Sequence, residues 1–163
     1  MREIFERLGR GDASALDELI GAYYPEILRY CLRHTPTREC AEDAAQETFL
    51  NCVRHIDTYA HRGHFRAWLY KIASNVCADI YRRARPAEEL PDEAAEERGY
   101  ERAELKTDLE RALARLPEAQ RELLLLRYAH GLTLREAAEI QSLPLRTAQS
   151  RLRAALRAMK KLM

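Results

Sequence analysis

The chain of 163 residues is short of everything a β-architecture needs. It has only two valines, six glycines and six prolines, against 25 alanines and 23 leucines. Strands favour β-branched residues and tight hairpins consume glycine, so a sandwich, a barrel and a doubly wound sheet are excluded and an all-α fold is expected. No run approaches the ~18 apolar residues of a membrane span. The opening MREIFERLGRGD is charged where a signal peptide would be apolar. The four cysteines, Cys31, Cys40, Cys52 and Cys77, contain no CxxC pair. P-loop, GxSxG and HExxH motifs are absent too. Cys31, His34 and Cys40 lack zinc-site spacing, and His61 and His64 have no third ligand nearby. The expectation is therefore a cytoplasmic protein with reduced, mostly buried thiols and no membrane insertion of its own, one that is not an enzyme and holds neither cofactor nor metal.

What is present is helical periodicity. Residues 12–34 carry Leu16, Leu19, Ile20, Tyr23, Ile27, Leu28, Cys31 and Leu32 at intervals of three and four, behind Asp12 as N-cap, with Pro25 expected to kink or divide the helix. A second helix starts after Thr37, with a buried stripe of Ala41, Ala44, Ala45, Thr48, Phe49, Cys52, Val53 and Ile56. Residues 56–64 lose all periodicity. A third helix over 64–83 buries Phe65, Trp68, Leu69, Ile72, Ala73, Val76 and Ile80. Three such stripes can close one small helical domain, 1–84.

Residues 85–100 are read as a flexible acidic linker: the surrounding segment 86–104 carries eight acids against two arginines. A second domain, 101–163, follows. One helix covers about 101–116 (Leu105, Leu109, Leu113, Leu116), and Pro117 opens another that ends near Gly131. Thr133-Leu134-Arg135-Glu136 reads as a capping box, starting a short helix that buries Leu134, Ala137, Ala138 and Ile140. After the turn Gln141-Ser142-Leu143-Pro144, a last helix buries Leu145, Ala148, Leu152, Ala155, Leu156 and Met159. A domain of about 60 residues is marginal by size.

Net charge is only +1, but residues 144–163 carry six basic residues and no acid. A short capped helix, a tight turn and a longer basic helix form a helix-turn-helix pattern. Opposite its buried stripe the last helix presents Arg146, Thr147, Gln149, Ser150, Arg153 and Arg157, groups able to fork to bases or meet phosphates. The helix dipole alone would favour Arg157, Lys160 and Lys161, but not Arg146 at the opposite end. On the second helix Asp43, Gln46, Glu47, Leu50 and Arg54 form one strip. It is acidic with a leucine in its middle, which suits a basic protein partner with an apolar pocket and not DNA. The third helix aligns Lys71, Asn75, Asp79 and Arg82. The loop before it offers Tyr59, His61, Arg62 and His64, a mixture suited to single-stranded or melted nucleic acid.

AEDAAQETFL (41–50), FRAWLYKIASNVCADIYRR (65–83), and LPEAQRELLLLRYAHGLTLREAAEI followed by PLRTAQSRLRAALRAMKKL together resemble a bacterial sigma factor of the extracytoplasmic-function type (sigma-70 family, group IV). The resemblance implies sigma domain 2, a linker and sigma domain 4. It implies an alternative sigma factor that binds core RNA polymerase and directs promoter-specific initiation. Asp43, Gln46, Glu47, Leu50 and Asn51 would meet the beta-prime clamp helices, and the fourth domain would rest on the beta flap. Tyr59, His61, Arg62, Lys71, Asn75, Asp79 and Arg82 would read the −10 element as melted strand. Arg146, Thr147, Gln149, Ser150, Arg153 and Arg157 would read the −35 element as duplex. The further implied partner is an anti-sigma factor, and the free chain is expected to be a monomer. Two departures stand out: the family commonly has Leu-Gly-Ile-Pro at the turn and Val-Gly-Thr-Val-Lys after it. Here Ser142 replaces that first Gly, Arg146 the second, and Gln149 the Lys. The alternative, a polymerase-independent helix-turn-helix regulator, would explain the end of the chain but neither the DAAQETFL strip nor the WLYKIASN helix.

Overall fold

A computed structural model of the chain describes residues 2–59, 64–84 and 107–163, in which all regular structure is helical. Contacts divide the chain into two compact units, Met1–Ala87 and Glu88–Met163. The linker reading falls on residues outside those described.

The first unit contains α1 (Arg2–Gly9), α2 (Ala13–His34), α3 (Arg38–Arg54), a 3₁₀ turn (Ile56–Thr58) and α4 (Phe65–Ala84). The Asp12 carboxylate accepts from the Ser14 N–H to cap α2, and the Thr37 hydroxyl accepts from the Cys40 N–H to cap α3. Helices α2, α3 and α4 pack against one another in every pairing. The core they close is Leu19, Ile27 and Cys31 from α2, Ala41 to Cys52 at the expected stripe positions of α3, and Phe65, Leu69, Ala73 and Val76 from α4. Thr48 sits in this core without cost because its hydroxyl donates to the Ala44 carbonyl at 2.7 Å.

Four differences from the sequence reading have physical causes. Pro25 does not divide α2: Leu19 before it and Ile27 after it anchor both halves to one core, while Gly21 and Pro25 lie on the exposed side, where water can reach the carbonyl that proline cannot serve. Leu32 is exposed, because its neighbour Cys31 takes the inward direction. On α4, Tyr70 and Cys77 are buried although they lie off the expected stripe, because α4 is covered by α2 and α3 and so buries a wider arc. Helix α1 is not among the helices expected from the sequence, although Ile4, Phe5 and Leu8 give it an apolar side. It is held by Phe5, its one buried residue, and by Arg7.

The second unit contains α5 (Asp108–Ala114), α6 (Glu118–Leu124) prolonged by a π-helical turn (Leu125–Ala129), α7 (Leu134–Ile140) and α8 (Leu145–Leu162). Ala112, Leu116, Leu124, Ala155 and Met159 form a core cluster covered by Leu113, Leu152 and Ala158. Of the helix expected over 101–116, residues 101–106 are outside those described. The described helix begins after Thr107, where Thr107 and Glu110 complete a reciprocal capping box. The expected box at Thr133 is only half made: the Thr133 hydroxyl accepts from the Glu136 N–H, but Glu136 Oε2 is buried without a hydrogen-bond partner. Leu109 and Leu156, expected inside, are exposed. Leu156 follows Ala155, which already occupies the narrow inward line Ala148, Ala155, Met159.

Candidate functional site

The turn between α7 and α8 decides how α8 is presented. Ser142 adopts φ +54°, in the left-handed region. Its N–H donates to the Glu139 carbonyl at 3.1 Å and the Leu143 N–H to the Ala138 carbonyl at 2.8 Å, the pair of bonds that closes a helix in a Schellman motif. Pro144 then caps α8 with φ −60°. Burial of Ala148, Ala155 and Met159 turns Arg146, Ser150, Arg153 and Arg157 outward, while Thr147 and Gln149 lie half-buried at the edge of that face. Among the described residues, none of Arg146, Arg153 and Arg157 is held in an ion pair. Arg146 stands in the first turn, where the helix dipole is itself positive, so its placement is unfavourable by ~0.3–1 kcal/mol until an anion arrives. This face can therefore gain phosphate contacts without breaking existing ones.

The outer side of α3 differs in character. Asp43, Gln46 and Leu50 are exposed, Leu50 by 52%, and Glu47 and Asn51 are half-buried. Arg54 folds back on the strip, with Nη1 3.8 Å from Glu47 Oε1 and donating at 3.4 Å to Asn51 Oδ1. The negative end is thus Asp43, with Leu50 as an apolar knob two turns further along the same face.

On α4, Asn75, Asp79 and Arg82 are exposed and Lys71 is half-buried; the Arg82 guanidinium bonds the Asp79 carboxylate, so this pair is internally neutralised. His61 and Arg62 lie outside the described residues. Tyr59 is not an open loop side chain. It is half-buried, with its ring centroid 5.5 Å from Phe5, 5.6 Å from Phe65 and 4.9 Å from Trp68. Trp68, read as core from its stripe position, is half-buried with Tyr59 tilted over it at 30°. It stands seven residues before Asn75 and so on the same side of α4, a spacing that could have marked it as part of this surface.

One carboxylate of α2 ties down two residues of α4. Glu26 Oε2 accepts from Arg66 Nε at 3.1 Å, Arg66 Nη2 at 2.7 Å and the Tyr70 hydroxyl at 2.8 Å. Burial, then the bond to Glu26, raises the Tyr70 phenol above its ordinary range. Burial likewise pushes the Cys52 thiol up to about 12, which keeps it protonated and inert. A hydrogen bond from Cys77 lowers the Cys31 thiol. All four cysteines are unpaired as disulfides, and Cys40 alone is not buried. Among the described residues no group of His, Cys, Asp and Glu could hold a metal, and no helix is long and apolar enough to cross a membrane.

Comparison with known proteins gives a consistent result. Residues 19–87 match the family described as Sigma-70 region 2, and residues 106–159 that described as Sigma-70, region 4. The chain is 35% identical to the ECF RNA polymerase sigma factor ShbA of Streptomyces griseus, over 96% of this chain and 93% of that one. It is 27% identical to the ECF RNA polymerase sigma factor SigW of Bacillus subtilis, over 99% and 95%. In fold it is similar, with a TM-score of 0.65 and 22% identity over 90% of this chain and 94% of the other, to the sigma factor RpoE solved in complex with the anti-sigma factor NepR from Bartonella quintana. These relatives are sigma factors and not enzymes. With its two family regions in order along the chain, this protein belongs to the sigma-70 family, as an alternative sigma factor of the extracytoplasmic-function type that directs transcription initiation.

Proposed function

We propose that the protein works in the cytoplasm, without catalytic activity of its own, by docking on core RNA polymerase and supplying two separate DNA-reading surfaces. The strip of Asp43, Gln46, Glu47, Leu50 and Asn51 takes the polymerase, at the beta-prime clamp helices. Tyr59, His61, Arg62, Lys71, Asn75, Asp79 and Arg82 read the −10 element as a melted strand, and the outward face of α8 reads the −35 element in duplex. The domain that carries α8 rests on the beta flap. An anti-sigma factor is the partner that would hold the free, monomeric chain inactive. One observation carries this reading: a single chain bears both an acidic strip around a half-exposed leucine and a basic helix with no acid, two surfaces that one polyanion cannot satisfy. Each DNA grip is weak alone. Docking on a common platform makes the second contact intramolecular.

The test is to mix the purified chain with bacterial core polymerase, measure binding, and map start sites on a promoter library. Tight binding with new, specific starts supports the proposal. A folded chain that ignores polymerase but binds a duplex site as a dimer would replace it with the independent regulator.

A further inference from the structure

Tyr59 ends the 3₁₀ turn, its N–H donating to the Ile56 carbonyl at 3.2 Å, and no helix fixes the direction of its ring. The neighbouring aromatics do. Two of them, Phe65 and Trp68, come from α4. The third, Phe5, comes from α1 and is a wedge: 94% removed from solvent, it meets Phe65 edge-on at 4.8 Å and Tyr59 at 5.5 Å. Tyr23 of α2 backs Phe65 from another side at 5.3 Å.

The position of α1 is itself fixed by charge. After the helix the chain turns through Gly11 at φ +79°, a conformation that glycine permits. Arg7 reaches across this elbow: Nε donates to Asp12 Oδ2 at 2.9 Å, Nη1 to Glu18 Oε2 at 2.8 Å and Nη2 to Ser14 Oγ at 2.8 Å. Its carbonyl accepts from the Asp12 N–H at 3.0 Å. A planar guanidinium using three nitrogens toward one helix start sets the angle of α1 as well as its attachment.

We infer that α1 is a positioning element for strand recognition: Arg7 sets the helix, Phe5 sets the Tyr59 ring, and Tyr59 over Trp68 forms the aromatic platform that an unstacked promoter base meets. Phe5 and Arg7 are positioning residues and touch no DNA. The inference rests on the reading of Tyr59 and α4 as the melted-strand surface. It adds that base preference at the −10 element depends on a helix remote in sequence from the reading residues. Loss of the wedge removes one of the aromatic walls around the Tyr59 ring and loosens the orientation that makes one stack selective.

The experiment compares wild type, Phe5→Ala, Phe5→Leu and Arg7→Met as holoenzymes on promoter libraries randomised first in the −10 and then in the −35 element. Emission of Trp68, the one tryptophan of the chain, reports the platform. Phe5→Ala is expected to lower initiation about tenfold, the scale of one base–aromatic stack. It should flatten preference at a −10 position, leave −35 preference unaltered and shift Trp68 emission. Arg7→Met should do the same with Phe5 intact. A template already unpaired over the −10 element should recover overall initiation but not the preference. Phe5→Leu, which keeps an apolar side chain at this buried position, carries the test if Phe5→Ala loses its helical circular dichroism. Unaltered −10 preference in the folded variants, or a uniform loss across all promoters, overturns the inference alone. A wild-type chain that starts no transcription overturns the proposed function, and this inference with it.

Discussion

Ser142 offers the most direct check on the turn that aims α8. An L-residue in the left-handed region carries about 1–2 kcal/mol that glycine does not, and Ser142 stands there at φ +54°. Glycine returns part of the gain through its freer unfolded chain, about 0.4–1 kcal/mol. Comparing Ser142→Gly with Ser142→Ala cancels whatever the hydroxyl contributes, since both variants lack it. The difference should favour glycine by about 0.5–1 kcal/mol, or roughly 3–6 °C in Tm for a domain of this size. Calorimetry of the full chain reads the difference. The −35 preference should also hold, because both variants keep the Schellman bonds of Ser142 and Leu143, which are made by main-chain atoms. If Ser142→Gly proves no more stable than Ser142→Ala, the left-handed geometry, and with it this account of how α8 is presented, is wrong.

Other outcomes follow from the same surfaces. Asp43→Arg should weaken binding to core polymerase by about tenfold or more while leaving thermal unfolding in place; equal affinity would remove α3 from the interface. Arg153→Ala should cost about 1–3 kcal/mol in use of promoters that depend on the −35 element, checked by transcription from matched −35 variants, on which identical ranking and yield would count against this face of α8. Hydrogen bonds from Ser14 and then Arg7 hold the Asp12 carboxyl down from 3.8 to about 2. A depressed folded-state pKa gives stability that is complete above about pH 4 and is lost as the pH falls through 2. Acid unfolding followed by Trp68 emission should therefore be steeper in that window for wild type than for Asp12→Asn; superimposable curves would refute the clamp.

Most helices were legible because their signals are local. Asp12 and Thr37 are short polar caps ahead of periodic apolar runs, and they cap α2 and α3 as read. The stripe of α3 buries at Ala41, Ala44, Ala45, Thr48, Phe49 and Cys52, since 3.6-residue periodicity alone chooses that face. Family membership was equally legible, through three blocks in order. Other features needed neighbours to decide them. Leu109 and Leu156 carry the right periodicity but face outward, Leu156 because its neighbour Ala155 takes the inward line. Tyr70 is buried because α4 has a helix on two sides, which its own sequence does not encode. The half-made cap at Thr133 keeps a sequence signature whose second bond is absent.

By itself, then, the order of residues determined the helical class, the caps of α2 and α3, the basic last helix and the acidic strip of α3, because each depends on contacts within a few residues. Tertiary structure decided which of those groups face outward unpaired and which are already engaged. It turned Arg153 outward, paired Arg82 with Asp79, and brought Phe5 against Tyr59. Such meetings depend on distance through space, and residues 5 and 59 become neighbours only when α1 folds back across the elbow that Arg7 holds.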